Sequence, residues 1–357
     1  MLNFAIIALP IKSLTSLTII GVFLSLIQLA FCPKIKMRKL VNMLLFCAII
    51  TAITMMSSKI ETLRYLYIFV LIMTSYTILS NLSAKMHSKL LIYLVLSISF
   101  IVILEHTPLR EQIFTLFRAS QVLLHAKRES SFFLYPGDLG AVSAILLSLI
   151  IYNQMQNEDF KSKYNLLCIA LLIFCIVASQ SRMAMLHIAI SLLFFMSFNF
   201  IILSAVSFCL IFTLIYFGYV QVDYLSSTID VINQHKWNLM SESSPLKRVQ
   251  ELHLMKNDIL GKDIVPHNFY ESGVVSLYFK LGFFSSIFTF FVFLTILIMS
   301  AIRDYRLLGI AMPIFLTHFI SAPFDRPKLS VFTIWAVIFV IVTVGKMQYV
   351  SHKIKYN

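Results

Sequence analysis

Long apolar runs separated by short polar clusters alternate along this chain. A transmembrane helix needs about 20 consecutive, mostly apolar residues, and most of the runs approach or exceed that length. The pattern therefore predicts an all-α fold, a polytopic transmembrane helical bundle of about 11 spans that forms a single integral membrane domain over residues 1–357. The predicted helices lie near residues 13–32, 41–57, 65–82, 90–104, 132–152, 164–179, 183–198, 200–219, 272–300, 307–321 and 329–346.

The apolar run from Met183 to Val220 is too long for one span at a rise of about 1.5 Å per residue. We divide it at the sequence SFNF, where Asn199 can lie in a tight turn. A wrong division there would reverse the orientation of every later helix. The first apolar run is kept as a span, because no small-residue cleavage site of a signal peptide follows it.

The composition agrees with a membrane protein. Hydrophobic residues make up 59% of the chain and charged residues 13%, and the mean hydropathy is +0.87. These values are far outside the range of soluble globular domains. All five cysteines lie in or beside apolar runs, without the spacing of a zinc site or a disulfide framework, so we interpret them as packing residues.

The basic residues of the short loops predict the orientation, since cytoplasmic loops collect lysine and arginine. One face of the predicted bundle holds thirteen of them, in segments 34–39, 84–89, 161–163 and 303–306 and in the tail from residue 346. The short loops of the other face hold six. We therefore expect the first face to be cytoplasmic, and the two long loops, residues 105–131 and 220–271, to lie on the opposite side.

These two long loops are themselves basic. A basic surface beside a membrane favours anionic lipids or a phosphorylated substrate as its partner. A solvated loop surface without a bound partner is the alternative. The basic residues are Arg110, Arg118, Lys127 and Arg128 in the first loop, and Lys236, Lys247, Arg248, Lys256 and Lys262 in the second.

Two arginines are candidate ligands for phosphate. Arg182 lies in ASQSRMAML, between two apolar runs, where its guanidinium either anchors a helix end or pairs with an anion. Arg248 lies in a segment that predicts a short amphipathic helix on the membrane surface, which begins at Ser-Ser-Pro and ends at Gly261. A planar guanidinium binds phosphate oxygens through two parallel hydrogen bonds, a geometry that lysine does not offer.

His267 lies in the stretch KDIVPHNFYESG, just before a predicted span. Pro266 restricts the residue before it to extended geometry and so places the ring in a turn. An imidazole accepts the proton of a hydroxyl group near neutral pH, which makes His267 a candidate general base; a solvent-facing loop histidine is the alternative. Asn268 is interpreted as a helix cap or a substrate ligand, and Glu271 as a partner of the ring or a solvated carboxylate.

Asp138, in YPGDLGAVSAILL, lies where a loop enters a predicted span, and we expect it to cap that helix. The sequence offers no cluster of metal ligands and no glycine-rich loop for phosphate binding. We therefore expect no metal, no cofactor and no ATP-driven transport.

Three segments share an order and spacing: SQSRMAML at a span junction, PLKRVQELHLMKNDILGKD in the second long loop, and PHNFYESGVVSLYFKLGFFSSIF at the following span. Together they resemble the O-antigen polymerase and O-antigen ligase family of bacterial envelope glycosyltransferases. That family shows a Ser-Arg pair at the membrane edge, an arginine and a final glycine in the large periplasmic loop, a His-Asn pair followed by aromatic residues, and a later Leu-Gly pair. The resemblance covers about residues 132–290, and the corresponding residues are Ser181, Arg182, Arg248, Gly261, His267, Asn268, Phe269, Tyr270, Leu281 and Gly282.

The resemblance implies a multi-pass protein of the bacterial inner membrane with an active site that faces the periplasm. Its partners would be undecaprenyl-diphosphate-linked oligosaccharides as donor and acceptor, the membrane lipids and a regulator of chain length, with no nucleic acid. Arg182 and Arg248 would bind the donor diphosphate, and His267 would act on the acceptor hydroxyl. The implied substrate contacts are Ser181, Asn268, Tyr270 and Glu271.

Within this family we expect the polymerase, because the chain is short and its long loop is modest. An O-antigen ligase, which transfers the finished glycan to lipid A-core, would use the same arginines and histidine. A transporter or flippase for lipid-linked oligosaccharides is a second alternative, although the expected internal repeats and midplane charges are missing from the sequence. A membrane scaffold without enzymatic activity is a third.

Overall fold

The computed structural model describes residues 4–11, 13–30, 63–117, 130–133, 135–156, 163–195, 283–320 and 326–356. Every regular element within these ranges is helical. A short 3₁₀ turn, Tyr305–Leu307, connects the helix that ends at Arg303 to the helix that begins at Leu308. The helices are α1 (Ala5–Ala8), α2 (Leu14–Ala30), α3 (Leu63–Asn81), α4 (Ala84–Glu105), α5 (Arg110–Phe117), α6 (Pro136–Gln156), α7 (Lys163–Ser179), α8 (Arg182–Phe195), α9 (Phe283–Arg303), α10 (Leu308–Ile320) and α11 (Pro327–Tyr356).

Three helices in the described part of the chain are long and apolar enough to cross a bilayer: α4, α6 and the first twenty residues of α11. Shorter apolar helices lie within α2, α3, α7, α8 and α9. The described part of the chain is therefore all-helical, and its three long apolar helices indicate a membrane protein.

Helix α6 lies at the centre of the bundle. It packs against α4, α7, α8, α10 and α11, and nearly all of its side chains are buried. Small residues allow this close packing, because membrane helices associate through backbone proximity and polar contacts between helices. One such contact joins the Ser148 and Ser191 hydroxyl oxygens, on α6 and α8, at 2.9 Å.

The ends of the helices lie in two groups at opposite ends of the bundle, which we name the Asp138 end and the Asp304 end. Helices α6, α8 and α11 begin at the Asp138 end, where α4 and α7 finish. At the Asp304 end, the carboxylate of Asp304 accepts hydrogen bonds from Tyr152 Oη at 3.1 Å and Gln156 Nε2 at 2.8 Å, near the end of α6. The two ends are separated by the length of α6, about 30 Å for 21 residues.

Nine of the eleven predicted spans correspond to helices of the structure, with shifted boundaries, while those near 41–57 and 200–219 lie outside the described residues. Helix α4 begins at Ala84 rather than near residue 90, because Ser83 Oγ caps it by accepting from the Met86 amide at 3.3 Å. Segment 84–89 is thus the first turns of a helix and not a loop. Helix α6 begins at Pro136 rather than at 132, since proline suits the first helical position.

Two further differences concern the loops and the last helix. The predicted loop at 105–131 contains α5, whose eight residues are too few for a span. Helix α11 continues to Tyr356, ten residues beyond its predicted end. The predicted loop at 220–271 lies outside the described residues.

Candidate functional site

An ion pair joins the starts of α6 and α11 at the Asp138 end. Arg326 Nη1 donates a hydrogen bond to Asp138 Oδ1. The Asp138 side chain is only 3% exposed, whereas that of Arg326 is 34% exposed. The carboxylate is therefore held inside the protein, and the guanidinium extends from it toward the surface.

The sequence predicted that Asp138 caps α6, and this prediction is wrong: Asp138 lies within the first turn of the helix. The helix begins two residues earlier at Pro136, and the amide of Asp138 donates to the carbonyl of Tyr135 at 3.0 Å. Its side chain binds Arg326 instead of an amide of its own helix. The favourable position near the positive end of the helix dipole is nevertheless as expected.

Arg326 also contacts an aromatic ring. Its guanidinium carbon lies 4.8 Å from the ring centroid of Tyr135, a distance typical of a cation–π contact. Tyr135 immediately precedes α6, so Arg326 contacts the start of that helix through both its charge and its planar face. These two contacts fix the direction of the guanidinium.

Lys328, the second residue of α11, is buried, with 3% of the residue exposed. Its Nζ donates to the carbonyl oxygens of Leu9 at 2.8 Å and Phe132 at 2.7 Å, and it lies 5.2 Å from the ring centroid of Phe117. These contacts connect α11 to the segment before α2 and to the residues before α6. Lys328 therefore serves the packing of the Asp138 end.

Glu105, the last residue of α4, is a second buried carboxylate at this end. Its Oε2 accepts from the amides of Ser130 at 3.0 Å and Ser131 at 3.1 Å. Ser131 has a φ of 51°, a left-handed conformation that is uncommon for a residue other than glycine, and its hydroxyl donates to the Ile98 carbonyl at 3.0 Å. Glu105 thus stabilises the tight turn from which the chain enters α6.

Ser181 and Arg182 lie in the same region, where α7 turns into α8. Ser181 is buried, and its Oγ accepts from the Ala184 amide at 3.3 Å, so it caps α8. Arg182 is the first residue of α8, and its side chain lies outside what the structure describes. Gln180, with a φ of 47°, makes the turn between the two helices.

A close approach at Gly140 fixes the start of α8 against α6. A β-carbon at Gly140 would lie 2.7 Å from Ser179 Oγ and would collide with the Ser181 side chain. Gly140 follows Asp138 by two residues, so the Ser181–Arg182 junction and the Asp138–Arg326 ion pair lie at the same end of α6 but on different faces of that helix. The backbone of Arg182, a predicted phosphate ligand, therefore lies at the same end of the bundle as this ion pair.

The remaining predicted site residues, Arg248, His267, Asn268, Tyr270 and Glu271, lie outside the described residues. Their proximity to Arg182 stays a prediction. In the described ranges, no group of three or more His, Cys, Asp and Glu side chains is close enough to hold a metal ion.

In the sequence, Arg326 and Lys328 are two of the six basic residues in the short loops of this face, and nothing there connects Arg326 with Asp138. A usable signal was present, because a carboxylate that becomes buried at the beginning of an apolar run needs either N–H donors or a cation in the folded protein. The signal does not name the cation, however, since Arg326 is 188 residues away in the chain.

Chemically, this site can fix the starts of three helices and hold the Arg326 guanidinium at the Asp138 end. The first amides and the dipole of α8 favour an anion near Arg182. Comparison of the chain with family models, with curated proteins and with solved structures finds no match. Functional inference for this chain therefore rests on its own motifs and geometry.

Proposed function

We propose that the chain is a glycosyltransferase of the bacterial inner membrane, with about 11 spans, that polymerises undecaprenyl-diphosphate-linked O-antigen repeat units at the periplasmic face. The observation that supports this best is the position of Arg182. It begins α8 at the Asp138 end, the end of the bundle opposite to the basic short loops.

The charges of the described helices support this orientation. Lys85 and Lys89 near the start of α4, Arg303 at the end of α9, and Lys346 at the end of the α11 span all lie at the Asp304 end. The positive-inside rule then places the Asp304 end in the cytoplasm. The Asp138 end accordingly faces the periplasm.

In the proposed reaction, Arg182 and Arg248 bind the diphosphate of the donor. His267 accepts the proton of the acceptor hydroxyl while the hydroxyl oxygen attacks the anomeric carbon of the donor sugar. The bond from that carbon to the diphosphate oxygen breaks, and undecaprenyl diphosphate leaves with the bonding electron pair. Two guanidinium groups stabilise the charge that develops on the leaving diphosphate, so they act where the transition state differs most from the ground state.

The polar network of the Asp138 end supplies rigidity in this proposal. The Asp138–Arg326 pair joins α6 to α11, and the contact at Gly140 joins α6 to the start of α8. The start of α8, where Arg182 lies, is thereby held against α6, which the ion pair joins to α11. Such positioning matters because misplacement by about 1 Å can lower a rate by about 100-fold.

Among the described residues, charged side chains of the membrane-crossing segments lie within two turns of a segment end. This favours an enzyme that acts at the membrane surface over a transporter, whose charges are expected near the midplane. An O-antigen ligase is the other candidate, since it would use the same residues on a different acceptor.

The test is the lipopolysaccharide ladder of a deletion strain complemented with wild type or His267→Ala. For a polymerase, the deletion leaves core that bears a single repeat unit, and His267→Ala fails to restore the ladder because loss of a general base lowers the rate by about 100-fold or more. His106→Ala, which removes an exposed histidine after α4 at the same end, is the matched control and should restore a normal ladder.

Other outcomes separate the alternatives. Bare core with accumulating lipid-linked polymer indicates a ligase. Loss of all periplasmic lipid-linked glycan indicates a flippase. A normal ladder with His267→Ala, at normal protein abundance, contradicts the assigned role of His267.

A further inference from the structure

A groove of about 1050 Å³ lies between α3, α9 and α11 in the half of the bundle near the Asp304 end. Helix α11 forms its floor, because it packs against both α3 and α9. The lining is mostly apolar and includes large side chains that are strongly exposed, among them Tyr76 at 49% and Phe291 at 57%. From Phe291 to Met299 along α9, the groove extends over about 12 Å.

One end of the groove is basic. Lys346, the last residue of the α11 span, lines it, and its Nζ lies 3.4 Å from the carbonyl oxygen of Leu79 at the end of α3. Arg303, the exposed last residue of α9, follows the lining residue Met299 by four positions and so lies on the same face of that helix. The floor and one wall thus each end in a cation near the Asp304 end.

This combination matches the shape and charge of a membrane lipid. Apolar walls along the membrane-crossing part of the helices suit acyl chains, and two cations at the helix ends suit a phosphate group. Basic pockets between transmembrane helices on the cytoplasmic side are known to bind anionic head groups. The hydroxyl groups of Ser80 and Tyr76, on the opposite wall, add polar atoms that suit a glycerol head group.

We propose that this groove binds an anionic glycerophospholipid of the cytoplasmic leaflet, with its phosphate at Lys346 and Arg303 and an acyl chain along α9 and α11. The inference does not depend on the glycosyltransferase activity. It does use the orientation in which the Asp304 end faces the cytoplasm. A bound lipid at this position would fill the space between α3 and α9 and would contact both helices.

The experiment uses purified, delipidated full-length protein in detergent, titrated with phosphatidylglycerol or with zwitterionic phosphatidylcholine of the same chain length, and bound lipid is counted by native mass spectrometry. We expect wild type to bind phosphatidylglycerol in preference to phosphatidylcholine. Lys346→Gln and Arg303→Gln should each weaken phosphatidylglycerol binding about fivefold, the contribution of one basic side chain near an anionic lipid. Lys89→Gln, an exposed lysine of α4 at the same end, is the matched control and should bind as wild type.

A second variant tests the groove itself. Val292→Trp introduces a large ring at a lining position that is 40% exposed, so the fold can accept it, and it should abolish binding of either lipid. Equal binding of the two lipids, unchanged binding by the Lys346 and Arg303 variants, or wild-type protein that takes up no lipid would each overturn the proposal. His267→Ala should bind lipid as wild type does, so failure of the proposed reaction and failure of the lipid site are separable.

Discussion

The ion pair between Asp138 and Arg326 is asymmetric at the level of single residues. The carboxylate is almost completely buried, while a third of the arginine side chain is exposed. Removal of the arginine leaves a buried charge, whereas removal of the carboxylate leaves a cation that water can reach. A buried charge without its partner is the more expensive of the two states.

We therefore predict that Arg326→Gln lowers the free energy of unfolding by about 3 kcal/mol, the low end of the range for a buried ion pair that loses one member. Asp138→Asn should lower it less, because the exposed guanidinium becomes hydrated. The double variant should lose less than the sum of the two single variants, since the buried charge and its partner are removed together. Denaturant series on purified protein in micelles measure all three values.

Equal losses for the two single variants, with additive behaviour in the double variant, would show that the two charges do not interact in the folded protein. Lys85→Gln is a suitable control, since this exposed lysine of α4 lies at the other end of the bundle. Lys85→Gln should change the free energy of unfolding by less than about 0.5 kcal/mol, as most surface substitutions do.

Sequence patterns at the residue scale identified Asp138 as a helix-start carboxylate but not its partner. A helix start has a local signature in proline, acidic residues and the following apolar run. An ion pair across 188 residues has none, because it depends on which helices become neighbours. The burial of Glu105 likewise had no local signature, because the amides that its carboxylate accepts from, those of Ser130 and Ser131, lie 25 and 26 residues away in the chain.

At the scale of helices, the contact between α6 and the start of α8 depends on a residue without a side chain. Gly140 faces Ser179 and Ser181, whereas a β-carbon at Gly137, three residues earlier in the same helix, would meet nothing within 4 Å. The two glycines are thus a matched pair in one helix: an added β-carbon would collide with its neighbours at Gly140 and would meet open space at Gly137.

Gly140→Ala should lower the free energy of unfolding by about 1–3 kcal/mol, because the added methyl group overpacks the junction. Gly137→Ala should be neutral or stabilising by up to about 1 kcal/mol, since alanine is the better helix former. Thermal unfolding of both variants against wild type checks the difference. A stable Gly140→Ala protein would mean that α8 can move away from α6 without penalty.

Helix positions were the most predictable part of the fold, because a long apolar run has few other structures available in a membrane. Helix boundaries were less predictable where a polar segment continues the helix, as in the first turns of α4 after the Ser83 cap. Helix α5 was missed, since its eight residues contain too few apolar positions to form a pattern. The groove between α3, α9 and α11 has no sequence signature either, as it depends on the spacing between helices.

At the scale of the whole molecule, the two ends of the bundle differ in the kind of polar contact they contain. The Asp138 end holds the Asp138–Arg326 pair and the buried Lys328, and the Asp304 end holds exposed cations around Asp304. Helix α8 finishes at the Asp304 end. Its last residue, Phe195, packs against Gly309 near the start of α10, where a β-carbon would lie 2.7 Å from the Phe195 ring. The predicted division of the apolar run near Asn199 lies outside the described residues.

The orientation can be tested by cysteine labelling in a variant whose five native cysteines are replaced by alanine. Leu109→Cys reports on the Asp138 end and Tyr305→Cys on the Asp304 end, since these side chains are 44% and 56% exposed. A thiol reagent that cannot cross the inner membrane should label Leu109→Cys in cells with a permeabilised outer membrane, and Tyr305→Cys only after lysis. The reverse pattern would place the Asp138 end in the cytoplasm, away from any periplasmic acceptor, and would contradict the proposed polymerase. Labelling of both positions before lysis would mean that they do not lie at opposite ends of the bundle.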